Sequence, residues 1–545
     1  MCSRKCYPYQ LLYQKMILSS AKYRNFEQCE MKKFFNTAGP CQPDIHYITD
    51  PLPRLVGIRE LIDGRHYFVL HAPRQTGKTT YLYALMRQLN QEGQYTVLTV
   101  NIQAAASGQD SWDAMRIAAA AIYRQATLHL PETQWPSQVS ERSEHFGTLQ
   151  AYLSDWATHN PKPIVLFIDE ADSLMDELFL ALLRQLRAGF EARPKGFPHS
   201  IALIGLRDVR DYKIRLRPER ENLGTSSPFN VKSKSLFMLG FTVAEVSDLL
   251  EEHTKATGQA FEEAVKQEIY RLSQGQPWLT NALANQIVAE LLHNDYKKTI
   301  TLEHVAQARE ALIQRRDTHL DSLIDKLREP LVKPIVEAII NGETPDFDIL
   351  NDALSYTRDL GLIAPKPPVR FANPIYQEII PRVLSFGFQE MLPSDYIEPT
   401  WYIKDGKLDM DALLTAFQKF YRRHSETWLS KYDFREAGRQ LLLMAFLQRI
   451  VNSGGRIERE MAAGNGRCDL LAEYGNEQIP IELKLYYDSY TREEGLDQIA
   501  RYLSRFGLKQ GYLVIFETRV SIPWEKRIYR EEVVVAGKQV ILFGM

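Results

Sequence analysis

Tyr-Phe-Val-Leu-His-Ala-Pro-Arg-Gln-Thr-Gly-Lys-Thr-Thr, residues 67–80, is the stretch that decides the fold. Tyr67 to His71 is a short apolar run that reads as a buried strand, and Thr79 to Asn90 reads as a helix. Between them, Ala72, Pro73, Arg74, Gln75, Thr76, Gly77, Lys78, Thr79 and Thr80 follow the pattern G-x-x-x-x-G-K-[ST], with Ala72 in place of the first glycine. A loop at a helix N-terminus turns backbone N–H groups toward an anion, and the helix dipole favours negative charge there. Lys78 is placed to reach the β- and γ-phosphates of ATP, Thr79 to put its hydroxyl on Mg²⁺, and Gly77 to let the backbone approach closely.

Outward from this loop, strand and helix patterns alternate. Tyr95 to Ile102, Ile164 to Ile168, Ile201 to Gly205 and Ser235 to Leu239 read as strands, and Ser111 to Leu130 and Phe146 to Asn160 as amphipathic helices. Continuous apolar strands between helices predict an α/β fold, a parallel sheet covered on both faces. The third strand ends in Asp169-Glu170, and carboxylates at the edge of a buried strand have no packing reason to be there. Asp169 would hold the Mg²⁺ shell and Glu170 would polarise the attacking water; a helix-capping role is the bland alternative.

The chain has 545 residues, too long for one core. We divide it into an N-terminal extension (1–34), a P-loop core (35–241), a helical region (242–318), a winged helix (319–390), a helical connector (391–427) and a separate α/β unit (428–545). The hairpin of the winged helix is expected in Leu-Ile-Ala-Pro-Lys-Pro-Pro-Val-Arg-Phe-Ala-Asn-Pro, residues 362–374. Hydrophobic content of 45% and charged content of 25% are ordinary globular values, and a net charge of −2 excludes a nucleic-acid coat protein. No stretch approaches the ~20 apolar residues of a membrane span. Five cysteines, too few and too scattered for a disulfide framework, point to a reducing, cytoplasmic setting.

The runs HAPRQTGKTT, FIDEAD, GLRD and GQPWL together resemble bacterial AAA-like ATPases of the STAND-related group, over roughly Phe35 to Pro381. The resemblance implies ATP binding and hydrolysis, with Arg207 sensing the γ-phosphate and Pro277 of Gly275-Gln276-Pro277 packing near the base. Arg207 also reads as a salt-bridge partner of Asp208 or Asp211, and Pro277 as a plain first-turn proline. The lead-in from Phe35 makes His46 and Tyr47 candidates for the adenine pocket. Arg184, Arg187 and Arg193 are candidates for an arginine finger in a homo-oligomer, with none assigned.

Near the C-terminal end, Cys468 to Tyr474 and Gln478 to Leu485 read as neighbouring strands joined at Gly475-Asn476. Asp469 opens the first, and Glu482 and Lys484 share one face of the second at i and i+2. Two carboxylates and an ammonium within an apolar sheet need a reason, and a hard divalent cation such as Mg²⁺ supplies one. Glu436, opening a helix upstream, could reach the same metal, and Gln498 and Tyr502 share one face of a helix downstream. The order Glu, Asp-x(12)-Glu-x-Lys, Gln-x-x-x-Tyr resembles the PD-(D/E)XK nuclease superfamily, without its proline. That resemblance implies a metal-dependent nuclease with Glu436, Asp469, Glu482, Lys484 and Gln498 in its centre and nucleic acid, DNA before RNA, as partner. Tyr502 reads equally as a core aromatic and Arg467 as a solvated loop residue. The stretch Phe417 to His424 could track a phosphate backbone or be an amphipathic helix with a solvated basic face. The expected function is an ATPase regulating nucleic-acid cleavage; the alternative is a regulatory ATPase whose nuclease-like unit binds nucleic acid or a partner without cutting.

Overall fold

Tyr67–His71 is buried along its whole length as strand β1, inside a five-stranded parallel sheet. The structure is a computed structural model, and it describes residues 33–139, 148–174, 176–205, 232–315, 326–340, 345, 348, 351–390, 402–404, 406–431, 438–452, 456–463, 466–486, 488, 490–519 and 521–545. With β2 (Thr96–Asn101), β3 (Ile164–Asp169), β4 (Ser200–Gly205) and β5 (Lys232–Phe237), the order is β2-β3-β4-β1-β5. Because strand side chains alternate, the continuous apolar runs serve two cores. Phe68, Leu70, Val165 and Phe167 face helix α1 (Lys78–Glu92) through its Leu82, Leu85 and Leu89. Val69, Leu98, Leu166 and Ile168 face the other layer, α2 (Ser111–His129), α3 (Thr148–His159) and α4 (Asp176–Ala188). The fifth strand begins three residues before its expected start at Ser235. Its register on β1 shifts between Tyr67 and Phe68, and it leaves the sheet once Met238 N has bonded to His71 O.

The helical region comprises α5 (Val243–Thr257), α6 (Glu263–Ser273), α7 (Pro277–Asn285) and α8 (Leu302–Arg315). The next segment contains α9 (Lys333–Ile340), α10 (Asp352–Asp359) and α11 (Pro374–Glu390). Its expected hairpin is reduced to one antiparallel bridge, Ile363 to Phe371, because Pro367 and Pro368 between them carry no backbone N–H.

A two-stranded ribbon, β6 (Ile403–Lys404) and β7 (Lys407–Leu408), leads into α12 (Met410–Lys431) and α13 (Gly438–Asn452). The last unit is a mixed six-stranded sheet of β8 (Arg456–Ala463), β9 (Gly466–Tyr474), β10 (Glu477–Tyr486), β11 (Gln510–Glu517), β12 (Tyr529–Val535) and β13 (Lys538–Gly544), ordered β12-β13-β11-β10-β9-β8. Helix α14 (Tyr490–Arg505) covers one face of it. The opposite face shares one apolar core with α12, α13, α11 and the helical region. Phe417, Phe420 and Tyr421 are buried in that core, and Gln418 Nε2 donates to Tyr529 O and Gly544 O. The aromatic side of the Phe417–His424 stretch is therefore core, while Lys419, Arg422 and Arg423 are exposed and Arg422 pairs with Glu525 at 3.1 Å. No helix among the described residues is long and apolar enough to cross a membrane.

Candidate functional site

The loop after β1 holds its shape through backbone geometry. Gln75 and Gly77 both have positive φ, 59° and 87°, and helix α1 starts at Lys78. Ala72 is fully buried, so its methyl group occupies core space where the motif has glycine. Thr76 Oγ1 donates to Pro73 O at 2.8 Å and closes the loop on itself. Lys78 is buried, and its Nζ donates to Ala72 O at 2.7 Å and Pro73 O at 3.0 Å. Burial pulls its pKa down, and Glu170 and Asp169 pull the other way. Among the described residues this ammonium is held by neutral carbonyls, with the carboxylates further off, and it is placed for a polyanion.

The acidic edge lies opposite. Thr79 Oγ1 donates to Asp169 Oδ2 at 2.8 Å, and Glu170 N donates to Asp169 Oδ1 at 3.0 Å. Asp169 has its carboxyl pushed up by burial, and Glu170 is pushed up by burial and then by Asp172 and Asp169. Burial and the neighbouring acids make these carboxylates costly to hold alone, and a cation between them relieves that cost. Thr79 and Asp169 present an oxygen pair suited to a hard divalent ion, and Glu170 lines the same cavity.

That cavity, about 400 Å³, lies between the loop, the lead-in and the helical region. Arg74, Gln75, Gly77, Lys78, Thr79 and Thr80 line it from one side. Asn36 to Cys41, Tyr47, Leu249, Pro277, Trp278 and Asn281 line it from the other. Tyr47 and Pro277 are therefore brought to the cavity. His46 is not among its lining residues; its Nδ1 accepts from Gln42 N at 2.9 Å and its ring meets Phe34 edge-on. Arg54, Phe241, Trp278 and Asn281 were missed by sequence reasoning; the one available signal was an aromatic directly after Pro277. Cys41 N donates to Thr80 Oγ1 at 3.0 Å and Trp278 Nε1 to Thr37 O at 2.9 Å, which ties the lead-in to both walls. Arg207 lies outside the described residues. Among the arginine-finger candidates, Arg184 and Arg187 are exposed, whereas Arg193 donates to Phe190 O and stacks over Phe190 and Tyr67.

The segment with α10 and α11 touches this loop from behind. His71 Nδ1 lies 3.7 Å from the buried carboxylate of Asp359. Gly361 has φ +78°, and a Cβ there would meet Pro73 Cβ at 2.7 Å. Gly361→Ala is expected to destabilise the protein by ~1–3 kcal/mol, through both left-handed strain and the Pro73 clash. Thermal and urea unfolding against the wild type would check it, and an unchanged midpoint would show that the contact is loose.

In the last sheet, β9 and β10 pair with Leu470 opposite Ile481, so Asp469 lies opposite Glu482 on one face. Asp469 Oδ2 accepts from Leu483 N at 2.7 Å, which holds that carboxylate over β10. Lys484 Nζ lies 3.3 Å from Glu482 Oε1 and 4.0 Å from Glu494 Oε1. Glu482 is 3% exposed, and among the described residues its Oε2 has no hydrogen-bond partner. Gln498 Oε1, on α14, also lacks one. Helix α14 can approach because Gly495 packs on Leu513 and the Lys484 stem; a Cβ there would sit 2.8 Å from Leu513 Cδ1. Tyr502 belongs to the core beneath α14 and stacks on Phe506 at 4.4 Å. Glu436 lies outside the described residues, and of Arg467 only its place in β9 is described.

Burial, and then Asp469, push the Glu482 carboxyl well above its ordinary value of 4.5. Above that value the unfolded chain releases the proton before the folded chain does, so native stability falls as pH rises toward the raised native value. A cation bound to the carboxylate reverses this penalty. Metal-free wild type should therefore lose stability as pH rises above about 4.5, the ordinary value, and added Mg²⁺ should restore it most at the higher pH. In Glu482→Gln both effects should shrink in thermal unfolding scans; an unchanged metal response would remove Glu482 from the site.

Residues 62–212 match the family model described as an AAA domain, and residues 423–519 match one described as a domain of unknown function (DUF8371). No curated protein matches the chain. Among solved structures, the chain is similar to the Aeropyrum pernix ORC2 protein at 15% identity, over 61% of this chain and 94% of that one, with a TM-score of 0.36. It is similar to the Thermotoga maritima RuvB Holliday junction branch migration motor at 16% identity, over 58% and 88%, with a TM-score of 0.31. It is also similar to Cdc6p from Pyrobaculum aerophilum at 18% identity, over 56% and 81%, with a TM-score of 0.34. Superpositions this loose carry no argument about this chain. The AAA-domain match spans β1 to β4 with the loop and the acidic edge between them, and the chain carries an AAA-type P-loop ATPase domain.

Proposed function

We propose that this chain is an ATP-regulated nuclease, with a nucleotide switch at the P-loop and a divalent-metal centre in the last sheet. The observation that carries the second half is the gathering of Asp469, Glu482 and Lys484 on one face, with a buried Glu482 oxygen that has no hydrogen-bond partner among the described residues. A buried, partnerless carboxylate oxygen beside another carboxylate is costly unless a cation takes it. Asp469 and Glu482 would hold Mg²⁺ there, with Glu436 as a further ligand, and Thr79 and Asp169 would hold the Mg²⁺ of ATP. When bound in the last sheet, such a cation supplies Lewis acidity toward a phosphodiester. Lys484 adds positive charge beside it and would orient the attacking water, and Gln498 would fix that water's second hydrogen bond.

At the other site, Lys78 would leave the carbonyls of Ala72 and Pro73 for the β- and γ-phosphates. Glu170 would orient the water, Arg207 would sense the γ-phosphate, and Pro277 would pack on the base beside Trp278. Contact between the sites has a physical route. The end of β1 meets Asp359 through His71 and the loop meets Gly361 through Pro73, and α11, in the same segment, packs on α13 beside the last sheet. A nucleotide with different affinity for two arrangements of these parts would shift the nuclease between states.

The test is incubation of the purified protein with duplex DNA, single-stranded DNA and RNA, with and without ATP and Mg²⁺. Metal-dependent cleavage that changes with nucleotide supports the proposal, with DNA expected before RNA. Binding without cleavage under every condition would instead identify a regulatory ATPase with a nuclease-like binding unit.

A further inference from the structure

Arg54 ends a short turn, Leu52–Arg54, in the lead-in to the sheet. Its side chain is only 4% exposed, and it lines the nucleotide cavity. Nη1 donates to Thr76 O at 2.9 Å and Nη2 to Leu239 O at 2.5 Å. Nε lies 3.7 Å from Glu245 Oε1, and the guanidinium lies over the Phe241 ring at 4.9 Å. These partners belong to three different parts of the molecule. Thr76 is the P-loop residue before Gly77, where a Cβ would lie 3.2 Å from Arg54 Nη1. Leu239 lies where the chain leaves the sheet. Glu245 forms the capping box of α5, accepting from Thr242 N while its own N–H reaches Thr242 Oγ1.

The exit segment is itself locked to the turn that opens α7. Phe241 N donates to Gly275 O at 2.6 Å, and any Cβ on Gly275 would collide with Phe241 O at 1.9 Å. Pro277 and Trp278, directly after that turn, line the cavity. A planar guanidinium donates along fixed, divergent directions to carbonyls on two separate segments, a rigid fork that a point-like ammonium lacks. Arg54 therefore links the Thr76 peptide to the exit segment and to the start of α5.

We propose that Arg54 is a positioning residue of the ATPase: it fixes the Thr76 peptide of the P-loop and passes nucleotide occupancy of that loop to α5 and the helical region. The proposal rests on the P-loop cavity being the nucleotide site. The test is ATP binding, together with amide hydrogen exchange of the full chain with and without saturating ATP. Wild type should show protection both in the loop (residues 75–80) and in α5. In Arg54→Ala, Kd for ATP should rise about tenfold, the effect of losing hydrogen bonds to a charged group. At saturating ATP the loop should still be protected, and α5 should not. Arg54→Lys should recover affinity in part and α5 protection hardly at all. Glu245→Gln keeps the capping acceptor and removes the charge facing Arg54. It should therefore weaken α5 protection without touching the loop, and it carries the test if Arg54→Ala does not fold. Wild-type protection of α5 in Arg54→Ala, or in both Arg54→Lys and Glu245→Gln, would overturn the proposal. Absence of ATP protection in the wild-type loop would overturn the nucleotide-site reading, and this proposal with it.

Discussion

Glu170→Gln should hold ATP with near wild-type affinity and hydrolyse it about a hundredfold more slowly or worse. The side chain changes by one atom, so packing and the positive φ of 55° at this residue are kept. That φ is costly for a side-chain-bearing residue, by ~1 kcal/mol or more, and such strain is retained where the surroundings impose it. Here it turns the chain sharply after β3 and leaves Glu170 on the cavity wall while Asp169 stays on Thr79. Binding should survive because Lys78, Thr79 and Asp169 are untouched. Hydrolysis should fail because a neutral amide cannot draw a proton from water. Lys78→Ala is the contrast, losing binding and hydrolysis together, since no other ammonium is described between the loop carbonyls and the acidic edge. Phosphate release at saturating ATP, with equilibrium binding of a fluorescent ATP analogue, separates the two variants. Undiminished turnover in Glu170→Gln would remove Glu170 from the reaction.

The parallel sheet was legible because its strands are buried on both faces and so read as unbroken apolar runs. The loop was legible because its chemistry is local, nine consecutive residues after a strand. Arg54 and Trp278 were not, because the cavity they line is assembled from segments more than two hundred residues apart. No spacing rule joins Trp278 Nε1 to Thr37 O. The basic face of the Phe417–His424 stretch looked the same whether its aromatic face met nucleic acid or core; burial of Phe417, Phe420 and Tyr421, with Gln418 bonded to the ends of β12 and β13, separates the two. The Asp469–Glu482 pair was legible because two strands and a two-residue turn fix the register. Its burial, and the partnerless Glu482 oxygen, depend on α14 closing over Gly495 and could not be read from the strands.

Asp469→Ala and Lys484→Ala should each reduce nucleic-acid cleavage by about a thousandfold and leave ATP hydrolysis nearly intact. The two variants differ in the metal. Asp469→Ala removes a carboxylate held over β10 by Leu483 N, so Mg²⁺ should bind more weakly and its stabilising effect in thermal scans should shrink. Lys484→Ala removes the ammonium 3.3 Å from Glu482, a charge that competes with any cation for that carboxylate. Metal should therefore bind as well as before, or better, while cleavage fails. A merely structural sheet would show the opposite pattern, because losing the charge partner of a buried acid destabilises it without regard to metal. Coupling is tested on the same footing. If ATP acts as a switch, Lys78→Ala should change the cleavage rate markedly although every residue of the last sheet is wild type, because nucleotide can no longer favour one arrangement over the other. Equal cleavage by wild type and Lys78→Ala, in ATP, in ADP and without nucleotide, would leave two independent activities on one chain. Full cleavage by Asp469→Ala would sink the metal centre itself.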